Sequence, residues 1–420
     1  MTILVLRKDN PQAWRDHAVS GACLHRGPTV GMTADIETKV AIVESVAALA
    51  PYAAQWDDLA AHASEPNMFY ERWALVPALE HLPGKERVHM FLVTDGARLL
   101  GLMPIVRRNS PQGLPGRYVA NWRHIHCFAG TPLMRKGKEL EFFSALFAWA
   151  QHERLNFVKL CNISWTDRLA RLIEDYTRNT GRRAFTLRSY ERAVLDSPFS
   201  GEAYLQHTLS PGRRKDIRRN HRRLEKKGAV RCREVGPDDD IARWIDDFIA
   251  IEKSGWKGRA GTALACNPRH EAFFARMTRN AHAEGKSFFH RLEAAGKTVA
   301  ITANYRSGHR AWAFKVAIDE TYRKCSPGLL LEIEGIKIVL DNPALDSMDS
   351  CAQPDNSLIN KLLTGRLAMR DQMISVSPGA PATLRFAVLV EFVRRAARDF
   401  LKRTYYAAKP AVLKKQGRRP

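Results

Sequence analysis

The sequence predicts a mixed α/β protein built as two successive copies of one arrangement, each a mixed, mostly antiparallel sheet flanked by helices. Three observations carry that prediction. Period-two apolar alternation and helical 3.6-residue spacing interleave along the chain, so strands and helices are not segregated. The order helix, helix, hairpin, strand, helix, strand, helix, strand is met twice, over 39–195 and over 200–376. Each copy contains a hairpin signal, at Asp95-Gly96 in the first and at 294–297 in the second.

The elements follow in order. Residues 1–36 show no periodicity and read as a poorly ordered leader; regular patterning begins near Lys39. In the first copy, 51–63 and 67–80 read as helices, and 88–94 and 99–106 as the hairpin strands. Next come a strand-like stretch over 118–133 broken at Gly130, a helix over 139–151, a strand over 157–163, a helix over 166–180 closed by Gly181, and strand character over 184–195. In the second copy, 202–227 and 239–252 read as helices, 287–293 and 298–305 as the hairpin, and 310–318 as a strand. A helix over 328–340, a strand over 344–350, a helix over 355–363 and a strand over 368–376 complete it. A Ser-Pro-Gly-Ala-Pro linker opens the last segment, 377–420, which holds an amphipathic helix over 384–405 and a basic tail.

Charge is concentrated. The net charge is +22, yet 213–233 carries eleven Lys or Arg against Asp216 and Glu225 (+9), and 394–420 carries ten against Asp399 (+9). The rest of the chain is only mildly basic. The 213–233 run suits an anionic acceptor, RNA or lipid phosphate, with Arg214 and Arg218 as acceptor-binding candidates. The terminal segment fits either a helix on an anionic membrane surface or one packed on its own domain.

Several function classes are excluded. No apolar run reaches the length of a membrane span, and the opening residues predict no secretory signal. The seven cysteines are dispersed without a Cys-x-x-Cys pair, which predicts reduced thiols in a cytosolic protein, at most peripheral to the inner membrane face. No Walker loop or Gly-x-Ser-x-Gly elbow occurs, and His207, His221, His270, His290 and His309 lack metal-ligand spacing, so no metal is expected.

The stretch from Trp312 to Leu340 is the one that looks built for a small anionic ligand. A strand ending at Ile318 feeds a polar, basic loop, and a helix begins at Ser326-Pro327-Gly328. First-turn amides of such a helix point outward unpaired and attract phosphate. Arg323 and Lys324 add charge, and Ser326, Gly328 and Leu329 lie at the helix start. Lys315 shares a strand face with the small residues Ala313 and Ala317, which leaves room for a ligand.

The ordered motifs YLQHTLSPGRRKDIRRNHRRLEKKG (204–228), Trp256-Lys257-Gly258 and FKVAIDETYRKCSPGLLL (314–331) resemble the GNAT acyltransferases, and within them the CelD-like acetyltransferase family. The first copy agrees through WDDLA and GLMPIVRR, and the tandem arrangement resembles FemABX-type transferases; together the resemblance covers about 39–376. It implies tandem GNAT-like domains, with acetyl-CoA or another acyl-CoA held in the second. Arg323 and Gly328 match the outer positions of the family's Arg/Gln-x-x-Gly-x-Gly/Ala loop, while Cys325 and Ser326 stand where a glycine is expected. The first copy, with only Met134 to Lys138 at that place, reads as degenerate and shapes the acceptor cleft.

The resemblance also assigns roles. Lys315 would stabilise the thioester carbonyl or hold a cofactor phosphate, and Asp319, ahead of Glu320, would take the amine proton. Trp256 and Lys257 would line the acceptor site, the alternative for Trp256 being a plug at the core edge. The implied activity is acetyl or acyl transfer to an amino group of a small-molecule or glycan acceptor in polysaccharide or envelope synthesis. Two alternatives stand beside it: an aminoacyl-tRNA-dependent transferase with tRNA as partner, and a non-catalytic scaffold at the membrane face.

Overall fold

The structure is a computed structural model and describes residues 2–6, 38–109, 116–379, 382, 384–394, 396–397 and 400–401. The first half comprises β1 (Thr2–Leu6), β2 (Lys39–Val43), α1 (Ala53–Ala61), α2 (Arg72–His81), β3 (Val88–Thr94), β4 (Leu99–Asn109), β5 (Arg117–Asn121), β6 (Leu133–Met134), α3 (Glu139–His152), β7 (Phe157–Ser164), α4 (Asp167–Asn179) and β8 (Ala184–Leu195). The second comprises α5 (Gly201–Thr208), α6 (Pro211–Glu225), β9 (Val230–Glu234), α7 (Ile241–Ser254), α8 (Trp256–Arg259), α9 (Pro268–Ala283), β10 (His290–Ala294), β11 (Lys297–Ser307), β12 (Arg310–Ile318), α10 (Pro327–Leu340), β13 (Ser347–Asp349), α11 (Ser357–Leu362) and β14 (Gly365–Ser375).

The mixed, mostly antiparallel fold is as the sequence predicts. Local chemistry sets several boundaries. Thr166 caps α4 by accepting from the Leu169 amide, and Gly181 ends it at a φ of 65° that favours glycine. The helix expected over 202–227 is two helices. Pro211 forces Ser210 into extended backbone, with ψ of 153°, so α5 stops and α6 restarts with Ser210 as its cap. The expected leader differs at its start, where Thr2–Leu6 pairs parallel to β2; residues 7–37 lie outside the described residues.

Both halves share one sheet. Its order is β1-β2-β3-β4-β5-β7-β14-β8-β13-β12-β11-β10-β9 among the described residues, with β6 added beside β4. The last strands are exchanged: β14 lies between β7 and β8, and β8 lies between β14 and β13. β5 runs parallel to β7, and β12 runs parallel to β13. The boundary expected at 195–200 is a connection between helix and strand, but hydrogen bonds cross it.

A second seam is apolar. α2 and its preceding turn pack against α9, β11 and β12, burying Phe69, Trp73, Phe274, Tyr305 and Trp312 in one cluster. Phe69 meets Trp312 edge-on at 5.5 Å, and Trp73 meets Tyr305 at 5.4 Å. Buried Glu71 of the first half accepts from Lys286 and Ser307 of the second. On the β8–β13 seam, buried Arg192 pairs with buried Asp349 at 3.2 Å.

The terminal helical segment from 384 docks through Leu384, Ala387 and Val388 onto Phe157, Leu187 and Met373. Its Glu391 pairs with Lys159 at 3.0 Å. Among the described residues, no helix is long and apolar enough to cross a membrane, and the cysteines are free.

Candidate active site

β12 and β13 pair only where Arg310–Trp312 meets Ser347–Asp349. Beyond Trp312, β12 continues to Ile318 with β11 on one side and no strand on the other, so the sheet opens into a gap. β12 is also bulged: Ala303 pairs with Lys315 and Asn304 with Ala313, which leaves Phe314 as an extra residue. The bulge reverses the alternation. Lys315 therefore lies opposite buried Ala303 and shares the face of Ala317, not that of Ala313 as simple alternation predicts.

On that face Lys315 is largely buried, with the Phe314 ring 5.6 Å from its amine. It has no hydrogen-bond or ion-pair partner among the described residues. Burial, opposed by Glu252 and reinforced by Lys257, lowers its pKa to about 8. Around it stand histidines from both halves. His126, from the β5–β6 loop, meets His270 of α9 at 4.9 Å and stacks on Phe273 at 5.7 Å. Burial, with Lys315 beside it, drives His126 down to about 2, and burial takes His124 to about 3, so both are neutral at physiological pH. The buried His126 Nε2 has no partner.

The other end of the gap opens into a cleft of ≈ 690 Å³ between α6, α8, the end of β12 and the start of α10. The chain leaves β12 through Asp319 and makes a tight 3-10 turn over Glu320–Cys325. At Ser326 it turns into α10 with φ of 50° and ψ of 53°. This is a left-handed backbone that favours glycine, adopted here by a serine. Pro327 supplies no N–H, so the amides of Gly328 and Leu329 are first-turn donors without a helical acceptor. Gly328 lies close under Ile318: a Cβ there would come within 2.6 Å of Ile318 Cδ1, which would have to shift. Arg323, Ser326, Gly328 and Leu329 line the cleft.

Other expected site residues are placed differently. Lys324 is exposed and does not line the cleft. Asp319 caps the turn, its Oδ1 accepting from the Thr321 amide at 2.9 Å and hydroxyl at 2.7 Å. Glu320 is a strut: it accepts from the Trp256 amide at 2.8 Å and from Arg259 at 2.6 Å, and the Arg259 bond holds its carboxyl below the usual range. Lys257 is committed to Glu252 and to the Val316 carbonyl, each at 3.0 Å. Trp256 does not plug the core edge; it is 61% exposed at the cleft rim. Arg214 is tied back to the Gln206 carbonyl at 2.5 Å, and Arg218 faces a separate groove on the other side of α6.

Three contributors escaped sequence reasoning. Arg213, not Arg214, lines the cleft. Glu332, one turn into α10, also lines it, and burial raises its carboxyl to about 7. His126 and His270 come together only through the fold. An acid directly after the apolar run Leu329–Leu331 was a usable signal for Glu332, and Trp122-x-His124-x-His126 was one for the histidines. Among the described residues, no three His, Cys, Asp or Glu are grouped as metal ligands.

A sheet splayed between two parallel strands, with a helix N-terminus at the opening, is a GNAT-like fold. Residues 211–351 match the family model Acetyltransf_6, an acetyltransferase (GNAT) domain. Among solved structures, the chain is similar to FemX, at 9% identity and a TM-score of 0.50, covering 77% of this chain and 95% of that one. It is likewise similar to the C-terminal DUF2156 domain of an Agrobacterium fabrum protein assigned as a lysylphosphatidylglycerol synthetase, at 14% identity and a TM-score of 0.50, covering 81% and 96%. At these identities the likeness is one of fold. No curated protein matches the sequence.

Proposed function

We propose that the protein is an acyl-CoA-dependent N-acyltransferase of the CelD-like kind, transferring acetyl directly to an amino group of a sugar or envelope-polysaccharide precursor. The observation that supports this is a cationic helix-terminus cleft that reaches Val316, Ala317 and Ile318 at the open end of β12, next in the chain to Lys315. The residues fit a CoA thioester. Gly328 keeps a cradle open that any side chain would narrow, its amide and that of Leu329 are unpaired donors, and Arg213 and Arg323 add charge for phosphate. Below pH 7 Glu332 is protonated and stands in the cleft as a donor without repelling phosphate.

The thioester supplies an activated acyl group. The chain supplies position and charge. A strand residue's N–H and C=O point to the same side, and Lys257 holds the Val316 carbonyl at the gap, so the Val316 N–H also faces it. That N–H and the Lys315 ammonium are the donors for negative charge developing on the reacting carbonyl oxygen. Neutral His126, with its free Nε2 near Lys315, is placed to accept from the acceptor amine.

Calorimetry with acetyl-CoA and CoA tests the reading. Both are expected to bind, and Arg323→Ala to weaken CoA about five- to tenfold, the scale of one exposed charge-assisted contact. No binding of either at millimolar ligand sinks the proposal and leaves the scaffold reading. Unchanged affinity in Arg323→Ala sinks the loop assignment alone. A second reading, aminoacyl-tRNA-dependent transfer, is favoured by the exposed cations Lys215, Arg218, Arg219, Arg222 and Arg223 along α6. It requires co-purifying tRNA released by salt.

A further inference from the structure

The terminal helix has two apolar faces, and only one is used. Leu384, Ala387 and Val388 face the sheet. Phe386, Leu389, Phe392 and Val393 face outward, at 46%, 57%, 48% and 62% exposure. At 100° per residue these four fall within one broad stripe, and Ala396 and Ala397 extend it. A continuous outward stripe of large apolar side chains is a surface that soluble proteins seldom leave open.

Charge around the stripe identifies what covers it. Residues 384–420 carry eleven Lys or Arg against Glu391 and Asp399, a net of +9. Glu391 is turned inward to Lys159, so it places no acid on the outer face. Arg385 and Arg394 are exposed on the helix itself. Seven more cations and no acid follow over 402–420, together with Tyr405 and Tyr406. An apolar stripe flanked by cations and interfacial aromatics matches an anionic bilayer surface, with acyl-chain boundary below and phosphate above. Docking of the inner face fixes the stripe against the sheet, so the whole catalytic body is held in one orientation.

We infer that the outward face of the helix over 384–394 seats the protein on anionic phospholipid, peripherally and without spanning the bilayer. The inference is independent of the acyl-transfer chemistry. The test is sedimentation of the full chain with phosphatidylcholine vesicles, with and without about one-third phosphatidylglycerol. Binding is expected only with phosphatidylglycerol and is expected to weaken with salt. The double variant Leu389→Glu and Phe392→Glu is expected to reduce partitioning more than tenfold, with CoA affinity and thermal midpoint unchanged because both positions are exposed. Arg394→Gln is expected to reduce it about fivefold. Equal binding by the double variant and the parent overturns the inference, as does absence of binding to anionic vesicles. A concentration-dependent dimer that the double variant abolishes, without vesicle binding, also overturns it and makes the face a contact between copies.

Discussion

Lys315→Met is expected to lower kcat for acyl transfer by about 10²–10³, the scale of losing one preorganised donor to a developing oxyanion. The argument rests on placement. The Phe314 bulge turns Lys315 to the buried face, where it has a ring beside it and no anionic contact. Burial sets its pKa at about 8, below the 10.5 of a free lysine. As a charged donor it acts when protonated, so kcat/KM should fall as pH rises through about 8. Were the neutral amine a base, activity would rise through the same pH. Lys315→Arg keeps the charge and should move the alkaline limb upward, which separates this group from the acceptor's own amine. Stability gives a second readout. Between about pH 8 and 10.5 the unfolded chain holds a proton that the folded chain has lost, so native stability rises with pH across that window. At neutral pH the buried charge is a cost, and the methionine variant should melt no lower than the parent. A pH-independent profile, or near-parental kcat in the methionine variant, would remove Lys315 from the mechanism.

Asp349→Ala is expected to destabilise the protein by about 3–5 kcal/mol, the range for stranding one partner of a buried ion pair. Arg192 would keep its charge, since a guanidinium stays protonated in proteins, and would lose the carboxylate that offsets its burial in the parent. Arg192 also donates to the Phe128 carbonyl at 2.6 Å, and the Phe128 ring lies 5.9 Å from that of Phe314. The variant should therefore loosen the wall of the site as well as the seam. Urea unfolding should show an earlier midpoint, and the double variant Arg192→Met, Asp349→Leu should recover much of the loss. A loss under about 1 kcal/mol would mean that the pair does not hold the seam.

Local elements were legible because local chemistry encodes them. Asp95-Gly96 marked a hairpin, and Asp95 Oδ1 indeed accepts from the Arg98 amide at 2.9 Å. The strand–turn–helix from β12 to α10 was legible through Pro327, Gly328 and the two apolar periods. α9 was missed, although Asn267-Pro268 is a start signal and Asn267 accepts from the Arg269 amide at 3.0 Å. β9 was missed although Val230, Arg231, Cys232 and Arg233 alternate apolar with polar, because five residues are a short signal at the end of a basic run. The Phe314 bulge was unreadable for a different reason. It is a property of pairing with β11, and period-two counting put Lys315 on the wrong side of one neighbour. The histidine pair and the Arg192–Asp349 bridge join residues 144 and 157 positions apart, a separation that no spacing rule reaches. Asp319 and Glu320 were singled out as acids by adjacency alone, and the contacts each makes, to Thr321 and to Trp256 and Arg259, could not be read from the sequence.

The exchanged strands set an order of assembly. While the chain is being made, β7 and β8 are complete long before the strand that separates them exists. The emerging first half can close on itself only by pairing those two edges wrongly, or else wait with both open. The register Met369 with Ser164 on one side and Tyr190 on the other is therefore the last to form and the one that commits both halves. Neither half is a separable part: cutting the gene between them would leave each product with an unfilled slot in its sheet and a spare strand shaped for the other.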